Sequence, residues 1–215
     1  MKIQVICDNE VKHAGLWPNW GFAALIESST GTPILFDTGA DGPTLLHNSH
    51  SLGIDLSGVE AIVISHAHWD HTGGLSAVLG MNRSAELYLP GSRVNSFTGR
   101  KVTVVGNDSL QIREDVFSTG VLEGIEQSLV LKTSKGMFVV TGCAHPEMKG
   151  ILDRASELGR VCGIAGGFHG FHDFKAFQGL SLIYPCHCTQ HKEEILELFE
   201  GKAFQCGAGL LIELR

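Results

Sequence analysis

The chain consists of short apolar runs separated by polar turns, with a few stretches in which apolar residues recur every three or four positions. The apolar runs predict β-strands at Lys2–Cys7, Gly21–Glu27, Pro33–Phe36, Glu60–Ile64, Glu86–Leu89, Lys101–Val105, Val116–Thr119, Ser128–Thr133, Met137–Thr141, Val161–Ala165, Ser181–Tyr184 and Leu210–Leu214. The helical spacing predicts helices at Pro43–Leu52, Leu75–Leu79, Met148–Leu158, Phe174–Phe177 and Lys192–Phe199. The strands form two batches that each finish in helices. This order predicts an α/β (α+β) protein with two stacked sheets and helices outside them, a four-layer αββα sandwich.

Length and composition agree with a single domain spanning residues 1–215. The chain has 215 residues, of which 43% are hydrophobic, and this is enough to fill one sizeable core. The net charge is −7, and lysine and arginine are scattered along the chain rather than gathered in a stripe. Binding to nucleic acid therefore has little electrostatic support, and we expect no nucleic-acid partner.

The first residues bear on the compartment. Met1–Cys7 alternates like a strand and lacks the charged and then apolar segments of a signal peptide. No apolar run approaches the roughly 18 residues that a membrane span requires. We therefore expect a cytoplasmic protein with no membrane partner, and we expect its six cysteines to be reduced thiols.

Four metal-binding side chains follow the strand predicted at Glu60–Ile64, within the sequence HAHWDH. His66 and His68 are two residues apart, so they leave an extended chain on the same side and can converge on one ion. Asp70 and His71 fall in the turn that follows, where they can face a second ion. Three imidazoles and a carboxylate suit zinc, with iron or manganese as alternatives.

An HxHxDH motif at a strand end, followed by Thr-Gly-Gly, resembles the metallo-β-lactamase superfamily. Further matches occur in order along the chain, with Asp37 in FDTG, His145 in TGCAH and His187 in YPCHCT. The resemblance implies the αββα sandwich, two divalent metal ions, and an Asp37 that supports the metal loop by hydrogen bonding. It assigns His66, His68 and His145 to one ion, and Asp70, His71 and His187 to the other.

The chain departs from this superfamily at Gly166-Gly167-Phe168-His169, because most members carry a metal-bridging aspartate there. A neutral imidazole offers one lone pair and cannot bridge as a carboxylate does. Three outcomes are open, in this order: His169 is a ligand of one ion, His169 acts beside the ions as a hydrogen-bonding or acid–base group, or Asp173 supplies the missing oxygen. We also expect the second ion to be held more weakly than the first.

The segments WGF, GCAH, GGFH and HCT narrow the resemblance. They are similar to a branch of predicted metal-dependent hydrolases that includes the dihydropterin-ribofuranosylaminobenzene phosphate synthase of methanopterin biosynthesis. We predict a metal-dependent hydrolase in which hydroxide attacks a phosphoryl or carbonyl centre of a small molecule, because a divalent ion lowers the pKa of bound water to about 7. Asp70 would orient the nucleophile, and His169 is the other candidate catalytic residue.

Other functions remain open. A transferase of the synthase type would use the same metal site, an iron-dependent dioxygenase acting on persulfides would use iron, and a non-catalytic metal-binding sensor would keep the fold alone. The segment between the first two strands carries the candidate substrate contacts His13, Trp17 and Trp20, because aromatic groups on a loop suit stacking on a flat ring. The alternative is that the tryptophans only hold the loop against the sandwich. The oligomeric state is not predicted.

Overall fold

The computed structural model describes residues 1–91 and 99–214. Its strands are β1 (Lys2–Cys7), β2 (Ala23–Glu27), β3 (Pro33–Phe36), β4 (Ala61–Val63), β5 (Glu86–Pro90), β6 (Val102–Val105), β7 (Leu110–Arg113), β8 (Val116–Ser118), β9 (Leu129–Thr133), β10 (Gly136–Thr141), β11 (Val161–Gly167), β12 (Leu182–Cys186) and β13 (Leu211–Glu213). Its α-helices are α1 (Gly42–Ser51), α2 (Trp69–Thr72), α3 (Leu75–Met81), α4 (Met148–Ser156) and α5 (Lys192–Leu198). Short 3-10 helices cover Leu56–Gly58 and Phe174–Phe177.

The strands form two sheets. One has seven strands in the order β13-β1-β2-β3-β4-β5-β6, and the other has six in the order β12-β11-β10-β9-β8-β7. Strands β3 to β6 pair in parallel, and so do β10, β11 and β12. Parallel strands end at the same edge of a sheet, so the loops that follow them lie near one another.

Successive side chains point to opposite faces of each strand, so the buried apolar residues form three layers: one between the sheets and one on the outer face of each sheet. On β4 and the residue after it, Ala61 and Val63 face the second sheet, whereas Ile62 and Ile64 pack with residues of α1 and α3. On β10, Phe138 belongs to the core between the sheets, and its neighbours pack with α4 and α5 on the outer face. Because both faces of these strands are buried, the sequence has continuous apolar runs there. The predicted four-layer αββα sandwich is confirmed.

The structure differs from the predicted elements in a few places. Leu110–Arg113 is an additional edge strand. Trp69–Thr72 is a single turn of α-helix, where we predicted only a turn after the strand. The helix predicted at Phe174–Phe177 is of the 3-10 type. Within the described ranges, no helix combines the length and the apolar character that a membrane crossing requires.

The expectation that every cysteine is a reduced thiol is wrong for one pair. Cys186 at the end of β12 and Cys206 form a disulfide, whereas Cys7, Cys143, Cys162 and Cys188 are free and buried. The two bonded residues are 20 positions apart in the chain. Their pairing depends on a tertiary contact between the end of β12 and the segment before β13, which cysteine spacing does not reveal.

Candidate metal centre

The predicted metal ligands meet where the two sheets present the ends of their parallel strands. His66 and His68 follow β4, His145 follows β10, and His187 follows β12. Gln127 connects the sheets at this edge, because its backbone N–H donates to Ser65 O at 3.0 Å and its Nε2 donates to Ile64 O at 2.8 Å. Side chains from distant parts of the sequence therefore share one site.

Three imidazoles form a first ligand cluster. His68 Nδ1 lies 3.0 Å from His66 Nε2 and 3.1 Å from His145 Nε2, so the three nitrogens converge. Burial, together with the neighbouring imidazoles of His71, His145 and His68, lowers the pKa of His66 to about 2. His66 is therefore neutral near pH 7, and a neutral imidazole has the free lone pair that a metal requires.

A second ligand cluster contains Asp70, His71 and His187. Asp70 Oδ2 lies 3.2 Å from His187 Nε2 and 3.9 Å from His71 Nε2. With Nδ1 of His187 donating to Asn9, its buried Nε2 turns a lone pair toward this carboxylate, which can only accept, and it has no hydrogen-bond partner within the described ranges. Leaving a buried polar atom unpaired costs about 1–3 kcal/mol, and a divalent ion among these three ligands would satisfy it. Burial and the nearby His71 lower the pKa of His187 to about 4, which keeps this ring neutral as well.

Hydrogen bonds on the outer nitrogens of these rings fix which nitrogen faces the centre. His71 Nδ1 donates to Asp37 Oδ2 at 2.7 Å. Ser65 donates from its Oγ to the same carboxylate oxygen at 2.7 Å and accepts from His66 Nδ1 at 2.9 Å. With Nδ1 occupied, Nε2 of both rings is left to bind a metal. Asp37 thus makes the type of contact that the resemblance implied for it.

The Asp37–His71 pair is completely buried, and each partner affects the other's protonation. Burial raises the pKa of the Asp37 carboxyl, although His71 and the Ser65 donors act in the opposite direction. Burial alone would lower the pKa of His71, but the adjacent Asp37 outweighs it and raises the pKa. A proton therefore stays in the Asp37–His71 hydrogen bond, where it holds His71 in the ligand orientation.

His187 is held by two residues that sequence reasoning did not identify. Its Nδ1 donates to Asn9 Oδ1 at 3.0 Å, and Asn9 Nδ2 donates to its carbonyl oxygen at 3.0 Å. Its backbone N–H donates to Asp8 Oδ2 at 2.8 Å. These contacts stabilise the left-handed backbone of His187, whose φ is 46°. The position of Asp8 and Asn9 directly after β1 was the available signal. Both β1 and β3 pair antiparallel with β2, so β1 ends at the same edge of the sheet as β4.

Glu126 was also missed, although it organises the loop that carries His145. Its Oε1 accepts from Thr141 Oγ1 at 3.0 Å and from the backbone N–H groups of the next three residues at 2.9–3.2 Å. Its Oε2 accepts from the His145 N–H at 3.0 Å. The side chain is fully buried. Nothing in its sequence neighbourhood indicates this role, because Glu126 lies in a polar turn like many surface glutamates.

Cys143 places a sulfur among the imidazoles. Its Sγ lies 3.1 Å from His71 Nε2. The sulfur is close enough to share a metal ion with His66 and His71, and it is also close enough to share one with His187 and Cys188. A hydrogen bond with Cys188, followed by burial, raises the pKa of the Cys143 thiol in the metal-free protein. We predicted the cysteines only as reduced thiols, and nothing in the sequence indicated that Cys143 contacts a metal ligand.

His169 and Asp173 lie outside the ligand clusters found among the described residues. The His169 ring centroid is 5.2 Å from that of His145, and the backbone has a left-handed φ of 45°. Asp173 precedes the 3-10 helix Phe174–Phe177. Direct ligation by His169, which was ranked first, and an oxygen from Asp173 therefore stay predictions, as does a His169 that acts beside the ions.

Of the three predicted substrate contacts, Trp20 alone reaches the ligands. Its Nε1 donates to Asp70 Oδ2 at 2.9 Å, and its ring meets His187 edge-on at 5.1 Å while remaining half-exposed. Trp17 stacks instead on His47 at 3.9 Å, which fixes the loop against α1. His13 packs over Gly209. Trp17 and His13 therefore have packing contacts away from the ligands, and their contact with substrate stays a prediction.

Two open cavities border the centre. One of about 620 Å³ lies beside the second cluster and is lined by Trp20, His187 and Lys192 among others. The other, of about 480 Å³, lies beside the first cluster and is lined by His145, His169 and Phe171 among others. A molecule entering either cavity reaches the ligand clusters, so the arrangement can bring a small substrate to metal ions.

Comparison with known proteins agrees with the fold and the centre. Residues 19–147 match the family model of the metallo-β-lactamase superfamily. A curated relative from Methanocaldococcus jannaschii, 7,8-dihydropterin-6-methyl-4-(β-D-ribofuranosyl)-aminobenzene-5'-phosphate synthase, is 25% identical over 92% of this chain and 90% of its own length.

Solved structures give the same picture. The crystal structure of Tm1679, a metal-dependent hydrolase of the β-lactamase superfamily, has a TM-score of 0.82 and 28% identity, covering 100% of this chain and 99% of that one. The short form of human tRNase Z has a TM-score of 0.65 at 12% identity over the full length of both chains, and so shares the fold. From the family match and these likenesses together, this chain belongs to the metallo-β-lactamase superfamily.

Proposed function

We propose that this protein is a metal-dependent hydrolase that uses two divalent ions to cleave a phosphoryl or carbonyl bond in a small molecule. One observation carries the proposal: two ligand clusters stand side by side, and the buried His187 Nε2 in the second has no hydrogen-bond partner among the residues that the structure describes. A purely structural cluster of histidines would satisfy that atom within the protein. A cation at this point explains it.

The residues present fit such ions in type and protonation. His66, His68 and His145 would hold the first, and Asp70, His71 and His187 the second. When bound, the ions would supply a water of lowered pKa and would polarise the oxygen of the scissile group. Nitrogen and carboxylate ligands favour zinc, with iron or manganese as alternatives.

Asp70 and His169 are the proposed catalytic residues. Asp70 faces both His71 and His187 and accepts a hydrogen bond from Trp20, so its carboxylate is held in one orientation. From there it would orient the attacking water. His169 lines the 480 Å³ cavity beside His145 and would hold a proton next to the leaving group of a substrate seated there.

Group transfer is a second candidate. The curated relative is a synthase, and cavities on both sides of the clusters provide room for a donor and an acceptor. The two ligand sets would then bind the leaving group while an amine or carbon nucleophile attacks in place of water. Trp20, half-exposed at the edge of the larger cavity, offers a face for stacking on a flat ring.

The remaining alternatives are less well supported. An iron-dependent persulfide dioxygenase is disfavoured because the structure brings together a second ligand set beside the first. A non-catalytic sensor is disfavoured by cavities that open directly onto those ligands. We propose a small-molecule substrate, with neither nucleic acid nor membrane as partner, because the net charge is −7 and no basic stripe accompanies it. A cytoplasmic location is part of the same proposal.

Turnover by the full-length protein tests this proposal. Protein purified without chelator would be loaded with zinc, manganese or iron and offered phosphoesters, thioesters, lactones and pterin diphosphates. We expect metal-dependent turnover that is lost in His68→Ala and kept in His50→Ala, the control being an exposed histidine in the last turn of α1. Oxygen consumption with a persulfide would instead identify a dioxygenase. Binding of two ions without turnover of any of these substrate classes would contradict the proposed hydrolase.

A further inference from the structure

We propose that Cys143 is an additional metal ligand whose sulfur connects the two ions. This inference rests on the proposed dinuclear function and deepens it, because it names the protein atom that would join the ions. His169 stands where most members of the superfamily have a bridging aspartate, and a neutral imidazole cannot bridge two ions. The structure places a buried sulfur between the two ligand sets instead.

The position of the sulfur is the first argument. Cys143 Sγ lies within 4.8 Å of the ligand nitrogens of His66 and His71, and within the same limit of the ligand nitrogen of His187. His66 belongs to the first cluster, whereas His71 and His187 belong to the second. The shortest of these contacts, 3.1 Å to His71 Nε2, is shorter than the roughly 3.5 Å that separates a nitrogen and a sulfur on one tetrahedral zinc with bonds of about 2.0 and 2.3 Å, so both atoms are near enough to share an ion.

The second argument is the unpaired nitrogen. The contact between Cys143 and His71 alone could be an ordinary thiol–imidazole hydrogen bond. That interpretation satisfies His71 but leaves His187 Nε2, which lies within ligand distance of Cys143, buried without a hydrogen-bond partner in the part of the chain that the structure describes. A cation between the sulfur and the two imidazoles accounts for all three atoms at once, since each of them then binds the ion.

The loop holds the sulfur in place through its backbone. Cys143 N–H donates to Glu126 Oε1 at 3.0 Å, and Gly142 O accepts from Gly167 N–H at 3.0 Å. A Cβ at Gly142 would overlap Ser65 Oγ, so this loop packs directly on the residue that precedes His66. The sulfur is therefore positioned by the same contacts that position the first cluster.

A thiolate ligand makes a specific statement about metal class. Sulfur favours borderline and soft ions such as zinc and cobalt over magnesium, calcium or manganese. A neutral imidazole has one lone pair for metal binding, whereas a thiolate sulfur has several and can contact two ions. We therefore expect a zinc or cobalt protein in which the second ion depends on Cys143 more than the first does.

X-ray absorption on the unmodified zinc-loaded protein, kept under a thiol reductant, is the direct test because it needs no variant. We expect a sulfur scatterer at about 2.3 Å from zinc. A zinc shell containing only nitrogen and oxygen would overturn the inference. Protein that binds no zinc would refute the proposed dinuclear function itself, so the two failures are distinguishable.

Variants identify which sulfur is responsible. In the cobalt-loaded protein we expect a near-ultraviolet thiolate-to-cobalt charge-transfer band that disappears in Cys143→Ser. Cys162→Ser is the matched control, because Cys162 is a buried free cysteine in the core between the sheets. The second ion should bind at least 10-fold more weakly in Cys143→Ser, with first-ion affinity changed less. A band that persists in Cys143→Ser but is lost in Cys188→Ser would assign the sulfur to Cys188 and overturn the inference.

Discussion

Replacing Glu126 with glutamine tests how the protein positions His145. Glutamine keeps the shape of the side chain and one acceptor oxygen, but it loses the charge and places an NH₂ group at the other oxygen position. The best orientation keeps the oxygen toward the donors around Oε1, from Thr141 Oγ1 to the Ala144 N–H. The NH₂ then faces the His145 N–H, which donates to Oε2 at 3.0 Å in the native protein.

The size of the effect follows from these bonds. One hydrogen bond to a charged acceptor is lost, at about 1.5–3 kcal/mol, and two donors are left facing each other. The hydrogen bonds to the remaining side-chain oxygen weaken, because that oxygen is now part of a neutral amide. This loss is offset in part, because the native protein bears the cost of burying the Glu126 charge and the variant does not. His66 offers no compensating positive charge, since its low pKa leaves it neutral at 3.9 Å from Oε2. We expect Glu126→Gln to lower the free energy of unfolding by about 2–4 kcal/mol.

The same change should weaken the first metal site. His145 lies on the loop that Glu126 holds by hydrogen bonds. In Glu126→Gln, its ring would no longer be fixed relative to His66 and His68. Removing a residue that holds a metal ligand in place by hydrogen bonding typically lowers metal affinity by roughly 10–100-fold.

Urea unfolding of the metal-free protein and zinc competition with a chelator would measure the two effects. Glu123→Gln is the matched control, because it is the same substitution in the same turn on an exposed residue, and it should leave both quantities unchanged. If Glu126→Gln unfolds at the native urea concentration and binds the first zinc with native affinity, the positioning role is refuted.

Three further predictions concern the centre itself. Trp20→Phe keeps an aromatic ring but removes the donor to Asp70. We expect turnover to fall roughly 10-fold, which is about 1.4 kcal/mol in activation free energy, with the metal content intact. Loss of metal would mean that Trp20 supports metal binding instead. His169→Ala should lower turnover by about 10²–10⁴ with both ions retained, and parallel losses of metal and turnover would make His169 a ligand. In metal-free protein, ring-nitrogen NMR should show His66 and His187 neutral down to about pH 4, and midpoints near pH 6.5 would contradict their burial. Because the unfolded chain protonates these rings near pH 6.5, it binds more protons than the native state below that pH. Their contribution to the free energy of unfolding therefore falls as the pH drops, by up to about 1.4 kcal/mol per pH unit for each ring.

The fold could be predicted from sequence because its strands are buried on both faces. Such strands leave continuous apolar runs like those at β4 and β10, and their residues alternate between two cores. The edge strand Leu110–Arg113 was missed because it has a neighbour on one side and only one buried residue. The single helical turn Trp69–Thr72 is too short to show a helical period.

The ligand set could be predicted in so far as its members lie in one motif or follow apolar strands. What the sequence could not show was how separate loops meet. Glu126 acts on backbone N–H groups up to 19 positions away, which leaves no side-chain pattern. Cys143 and Asn9 reach the ligands only because two sheets stack, and the Cys186–Cys206 bond depends on the same tertiary contacts.

The central claim is that two metal ions lie between the loops of these stacked sheets. Anomalous diffraction at the zinc edge, from crystals of protein purified without chelator and supplemented with zinc, tests it most directly. We expect one peak among His66, His68 and His145 and a second among Asp70, His71 and His187. A map with no peak at either cluster, or with zinc only elsewhere on the protein, would contradict it.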